Sequence, residues 1–177
     1  MRKCYIVCGS PGTGNSTYAE GLASLHRATL LDIDPVTERL VRLALAQAGQ
    51  DVDDRDSEYF KSTFREPIYE TLYDIARENL AIQDVVLVGP FTKELRDPLW
   101  PSELSNALGA DVEIHYVGCP PEIRKRRLAN RGNARDIAKL NDWEDHVQYY
   151  EPESPPVSKH VLVDGSDLEG STSNGLT

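Results

Sequence analysis

The sequence predicts a three-layer α/β domain built on a largely parallel sheet, and three observations carry that reading. Short apolar runs of strand length alternate with segments patterned at the helical period, the order that βαβ units produce. The first such run, Lys3–Cys8, is followed at once by a glycine-rich turn and then by a helical segment. The chain has 177 residues, 40% of them hydrophobic, which suits one domain with a single sizeable core.

Taken in order, Lys3–Cys8 is expected as a buried first strand and Gly14–Leu25 as the helix after it. Ala28–Asp32 reads as a second strand that ends in acidic residues. Val36–Ala48 reads as a helix, because Pro35 has no N–H to lose and a φ already suited to a helix start. Gly49–Asp56 is polar and acidic and reads as a loop. Phe60, Phe64, Ile68, Leu72 and Ile75 then form an apolar stripe on a long helix that Pro67 kinks or restarts. Asp84–Val88 is a third, fully buried strand; Glu94–Leu108, with Pro98 and Pro101, is a broken helical region; Asp111–Val117 is a fourth strand. Pro121–Arg131 is a strongly basic helix, Ala138–Tyr150 another helix, and Lys159–Val163 a fifth strand. Residues 165–177, rich in Gly, Ser and Thr, are expected to be disordered.

Charge and composition narrow the function. A net charge of −10 repels a phosphate polymer, which argues against long nucleic acid as the main partner. A local basic cluster can still admit a nucleotide. No apolar run approaches the ~20 residues of a membrane helix, and Cys4–Cys8 is too short for a secretory leader. The expectation is a cytoplasmic protein with no membrane partner. Cys4, Cys8 and Cys119 form no CxxC pair, so they read as buried small hydrophobes rather than disulfide or zinc ligands. His26, His115, His146 and His160 show no ligand spacing.

The strongest motif is Gly9-Ser10-Pro11-Gly12-Thr13-Gly14-Asn15-Ser16-Thr17, between a strand and a helix. It meets the phosphate-loop pattern G-x-x-x-x-G-K-[ST] at every defined position except one, where Asn15 replaces lysine. Glycines let the backbone bend so that successive N–H groups point inward, and the positive end of the following helix adds to them. Gly12, Thr13, Gly14, Asn15, Ser16 and Thr17 are therefore the candidate holders of a nucleoside triphosphate. The Ser16 hydroxyl is a candidate Mg²⁺ ligand. Asn15 can donate a hydrogen bond but carries no charge, and a charge-assisted bond is worth roughly 1.5–3 kcal/mol. Three readings stay open: an incidental or engineered change in an active enzyme, compensation by another cation such as Lys93 or the basic helix, or binding without turnover.

Asp32 and Asp34 end the second strand, where ligands gather in open α/β sheets. Asp34 is the candidate base for a hydroxyl acceptor, and Asp32 the candidate for Mg²⁺ or its waters. Either could instead cap the helix at Pro35, and capping and catalysis can coexist. No carboxylate ends the third strand, where a second metal-binding acid is expected; Gly89-Pro90-Phe91 follows instead. Thr92, Lys93 and Arg96 are weaker candidates for substrate contact. Arg124, Arg127 and Arg131 share one face of the basic helix, with Lys125 and Arg126 beside them and Arg135 just beyond. Planar guanidinium forks suit phosphate oxygens, so Arg126 and Arg131 are candidate catalytic cations and Arg127 and Arg135 candidate nucleotide holders, and Gly132-Asn133 makes a break fit for a lid.

Together these residues resemble the P-loop kinases related to the polynucleotide kinase 5′-kinase domain and to chloramphenicol phosphotransferase. More closely still, they resemble small bacterial proteins known only as AAA-type ATP-binding proteins. The likeness spans about residues 3–164 and rests on GSPGTGNST, LLDID, VVLVGPFT and RKRRLANRGNARDIAKLNDWE. It implies ATP and Mg²⁺ as cofactors, held by Gly12, Gly14, Ser16 and Thr17. It implies Asp34 as the acid that activates the acceptor hydroxyl, and Arg126 or Arg131 with Arg135 as lid arginines. Polynucleotide kinases carry an arginine shortly after the catalytic acid; here Thr37 falls near that position and Arg39 is slightly off, which weakens a nucleic-acid end as acceptor.

The expected architecture is a three-layer P-loop NTPase fold: a central parallel five-stranded sheet, order 2-3-1-4-5, in a domain of residues 1–164, with a small helical lid at about 124–137. The expected function is ATP- and Mg²⁺-dependent phosphoryl transfer to a small-molecule hydroxyl. The alternatives are a nucleotide-binding pseudokinase or regulatory module, and a polynucleotide 5′-end kinase. Acceptor and oligomeric state are not legible in the sequence.

Overall fold

A computed structural model of the chain describes residues 1–55, 57–144, 147 and 154–168. Five strands form one sheet: β1 (Lys3–Cys8), β2 (Thr29–Asp32), β3 (Val85–Val88), β4 (Asp111–Gly118) and β5 (Val161–Asp164). The order is β2-β3-β1-β4-β5 and every pairing is parallel, as expected. The register aligns Val7 with Val88 and Val88 with Asp32, which sets β2's acidic tip level with the exit of β1.

Helices cover both faces, and alternation along the strands divides the core. Cys4, Ile6 and Cys8 of β1 and Leu87 of β3 face α3 (Glu58–Leu80) and α4 (Trp100–Leu108), packing with Leu72, Ala76, Leu104 and Leu108. Tyr5, Val7, Val86 and Val88 face α1 (Asn15–His26), packing with Ala19, Leu22 and Ala23. The cysteines are free and buried, and burial pushes the thiols of Cys4 and Cys8 up to about 12.

Several boundaries differ from expectation for identifiable reasons. Helix α2 (Ile33–Gln47) begins two residues before Pro35, because the Asp32 side chain accepts from the Asp34 N–H and caps it there. Helix α3 runs continuously through Pro67. Its buried residues are Tyr69, Leu72, Ala76 and Leu80, not the whole expected stripe. A run of four-residue steps advances about 40° past a full turn each time, so such a stripe walks off the buried face. Helix α5 (Pro121–Arg131) ends at Gly132, and α6 (Ala134–Asn141) starts four residues before the helix expected at Ala138. The 3₁₀ turn Glu94–Arg96 and α4 account for the broken region.

The segment 165–168, expected as the start of a disordered tail, packs back on the body: Gly165 N donates to Gly118 O at 2.7 Å. The rest of that tail, and most of the expected helix beyond Glu144, lie outside the described residues. Among the described residues, no helix is long and apolar enough to cross a membrane.

Candidate functional site

The loop between β1 and α1 is shaped by its own side chains. Thr13 is fully buried, and its hydroxyl donates to Ser10 O at 2.9 Å and lies 3.1 Å from Asn15 Oδ1. The Asn15 amide, Nδ2, donates to Gly9 O at 2.9 Å. Asn15 thus braces the loop internally, where a lysine would extend a charge. Gly14 caps α1 at φ 106, in the left-handed region, where a Cβ would also meet Leu168 Cδ1 at 3.1 Å. No side chain caps α1, and no carboxylate sits in its first turn. The partial positive charge at that helix end is left for an anion.

Asp32 joins the second part of the site. One oxygen, Oδ2, accepts from Ser16 Oγ at 2.9 Å, while Oδ1 accepts from the Asp34 N–H at 3.0 Å. Asp32 therefore caps α2 with one oxygen and faces the loop serine with the other. Asp34 lies in the first turn of α2, exposed to solvent. β3 ends at Val88 with no acid after it, and Gly89 N donates to Val7 O at 3.2 Å. The hard oxygen donors brought together beside the loop are thus the Ser16 hydroxyl and the Asp32 carboxylate. Among the described residues, no group of three or more His, Cys, Asp or Glu could hold a metal ion.

The basic helix divides by depth. Arg124 is 1% exposed; its Nε donates to Pro11 O at 3.1 Å, and its guanidinium lies 5.6 Å from the Trp143 ring. Arg127 is turned toward main-chain carbonyls, among them Thr13 O at 3.1 Å and Gly165 O at 2.9 Å. Arg131 makes a two-pronged pair with buried Asp136, Nε to Oδ2 at 2.5 Å and Nη2 to Oδ1 at 2.9 Å. Lys125 and Arg126 are exposed. The side chain of Arg135 lies outside what the structure describes. Thr92 and Lys93 are exposed, whereas Arg96 is committed to the carbonyls of Ser154 and Pro155, at 2.7 and 3.3 Å.

Three participants were not foreseen. Asp136 holds Arg131 across the Gly132 break, a separation of five residues that helical spacing does not flag. Gly165 presses so closely on Thr13 O and Gly118 O that no Cβ fits, and a lone glycine before a serine gave no hint of it. Phe91 is fully buried with φ 42, its N–H donating to Tyr69 Oη at 3.2 Å and its ring against Tyr69 and Trp100. It fixes the turn that carries Thr92 and Lys93 out of β3.

Residues 5–152 match a family model described as an AAA domain. No curated protein matches significantly. Among solved structures, the chain is similar to a Chloroflexus aurantiacus protein described provisionally as a kinase, at 17% identity over 94% of this chain and 89% of that one, TM-score 0.65. It is also similar to shikimate kinase from Bacteroides thetaiotaomicron, at 14% identity over 96% and 90%, TM-score 0.57. A gluconokinase from Sinorhizobium meliloti matches at 12% identity over 94% and 83%, TM-score 0.53. At such identities the likeness establishes a shared fold.

Proposed function

The chain belongs to the AAA domain family, and from that premise we propose that it transfers a phosphoryl group from ATP, with Mg²⁺, to a hydroxyl of a small molecule. The observation that carries the reading is the 2.9 Å contact between Ser16 Oγ and Asp32 Oδ2 at the mouth of the loop. A hydroxyl and a carboxylate are the hard oxygen donors that suit Mg²⁺. When bound, that ion would offset charge on the outer phosphates. The names of the similar structures, shikimate kinase and gluconokinase, point to small acceptors as well.

In this reading the amides of Gly12 to Thr17 and the start of α1 hold the phosphates. Asp34, whose N–H is fixed by Asp32 Oδ1, takes the proton of the acceptor hydroxyl. Arg126 is the exposed cation available to a transferring phosphoryl group, with Arg135 further along. Arg131 joins it by exchanging the Asp136 carboxylate for phosphate oxygens. Arg124 and Leu128 are buried, so any lid closure pivots beyond them, at Gly132.

Two measurements test this. Mg-ATP binding is measured by calorimetry for the natural chain and for Asn15→Lys, where the added charge is expected to tighten binding about ten- to a hundredfold. Acceptors are then screened with labelled ATP, covering sugars, hydroxy acids, nucleosides and oligonucleotides. Asp34→Asn is expected to abolish transfer and leave ATP affinity unchanged; transfer that survives it removes Asp34 as the base. Binding without transfer in both the natural chain and Asn15→Lys would instead make the site a nucleotide-binding module.

A further inference from the structure

Arg127, a candidate nucleotide holder by its place on the basic helix, instead spends its fork on main-chain carbonyls of the loop and of the turn after β5. Nη1 donates to Thr13 O at 3.1 Å and Gly165 O at 2.9 Å, and lies 3.4 Å from Gly12 O. Nη2 donates to Ser166 O at 3.0 Å and Leu168 O at 2.5 Å. Both terminal nitrogens of the fork are thus committed to main-chain carbonyls, from the phosphate loop on one side and the turn after β5 on the other.

We propose that Arg127 is a positioning residue for nucleotide binding: it fixes and polarises the loop from behind, supplying through the backbone part of the charge that Asn15 lacks. The inference rests on the nucleotide-site reading and adds to it. In a trans peptide the C=O and N–H point in opposite directions, and there are no cis bonds among the described residues. With the Thr13 carbonyl turned toward Arg127, the Gly14 N–H of the same peptide points away from it, toward the opposite side of the loop. A cation on a carbonyl oxygen draws charge through the peptide and makes its N–H a stronger donor.

Two further observations place this device where the motif is defective. Asn15 cannot provide the charge, since it is neutral and its Nδ2 is already used on Gly9 O. The turn after β5 reaches the loop because two residues are glycine: a Cβ on Gly165 would stand 2.2 Å from Thr13 O, and one on Gly14 would press on Leu168 at 3.1 Å. That turn then places Gly165 O beside Thr13 O, within reach of the same Arg127 nitrogen.

A double-mutant cycle tests the proposal. Arg127→Gln and Arg127→Lys are made in the natural chain and in Asn15→Lys, and Mg-ATP affinity and Tm are measured for each. In the natural chain Arg127→Gln is expected to weaken binding at least about tenfold, with Arg127→Lys, which keeps charge without the fork, in between. In the Asn15→Lys background the loss is expected to shrink to about threefold or less, because lysine then supplies the field directly. A purely structural brace would cost the same affinity in both backgrounds, in step with Tm. Equal losses, or unchanged binding in Arg127→Gln, would overturn the proposal. Should Arg127→Gln not fold, Arg127→Lys alone completes the cycle. Failure of both the natural chain and Asn15→Lys to bind Mg-ATP removes the nucleotide site itself, and is seen before any Arg127 variant is made.

Discussion

At the scale of single residues, Asp32 does two jobs with two oxygens. The Oδ1 atom caps α2 and Oδ2 accepts from Ser16. The jobs separate by mutation. Ser16→Ala is expected to weaken Mg-ATP binding with Tm nearly unchanged, because Ser16 is exposed and caps nothing. Asp32→Ala is expected to weaken binding and also to lose a cap worth about 1 kcal/mol. In a domain of this size that is roughly 2–4 °C of Tm, read by thermal melts with and without Mg-ATP. Asp32 was legible in the sequence because strand-end acids and helix caps both have positional rules. The direction of Arg127 was not. Helical spacing puts a side chain on a face, but whether it meets phosphate or carbonyl depends on the turn after β5, which composition alone suggested was disordered.

At the scale of elements, α1, β1 and β4 are joined by a polar chain on one side of the sheet. Tyr18 Oη lies 2.7 Å from His115 Nδ1, His115 Nε2 is 3.0 Å from Glu113 Oε1, and Lys3 Nζ is 2.7 Å from Glu113 Oε2. A carboxylate only accepts, so Nε2 carries the hydrogen and Nδ1 accepts from Tyr18. Burial pushes His115 below its usual 6.5; Glu113 opposes that shift, while His26 and Lys3 add to it. The folded chain then binds a proton on this ring less readily than the unfolded chain. Stability from the neutral ring is full above about pH 6.5 and falls as pH drops through the lowered value. Urea midpoints at pH 7.5 and 5.5 are expected to show the loss, and His115→Gln to flatten it. Strands were legible as elements because their apolar runs are continuous. Helix starts were less so: the α2 start depended on the Asp32 cap, and the α3 face on drift along a four-residue spacing.

At the scale of the whole molecule, the sheet order was accessible because a phosphate loop after the first strand, in an alternating βα chain with right-handed crossovers, leaves few topologies. What the order does not convey is how distant segments lock together. The α2–α3 connection is held by an ion network in which Glu38 and Arg42 of α2 meet Asp53 and Arg55 of the segment that read as a plain acidic loop. The turn after β3 is locked by Phe91, which spans α3 and α4 through Tyr69 and Trp100. A bulky residue at φ 42 bears about 1–2 kcal/mol that a residue without Cβ escapes. Truncating a buried aromatic costs about 3–5 kcal/mol, and alanine would incur that loss while keeping the unfavourable torsion. Ordinarily alanine is the gentler replacement and glycine the harsher. Here the ranking inverts: Phe91→Gly is expected to unfold at a higher urea concentration than Phe91→Ala, so the smallest side chain is the better tolerated of the two.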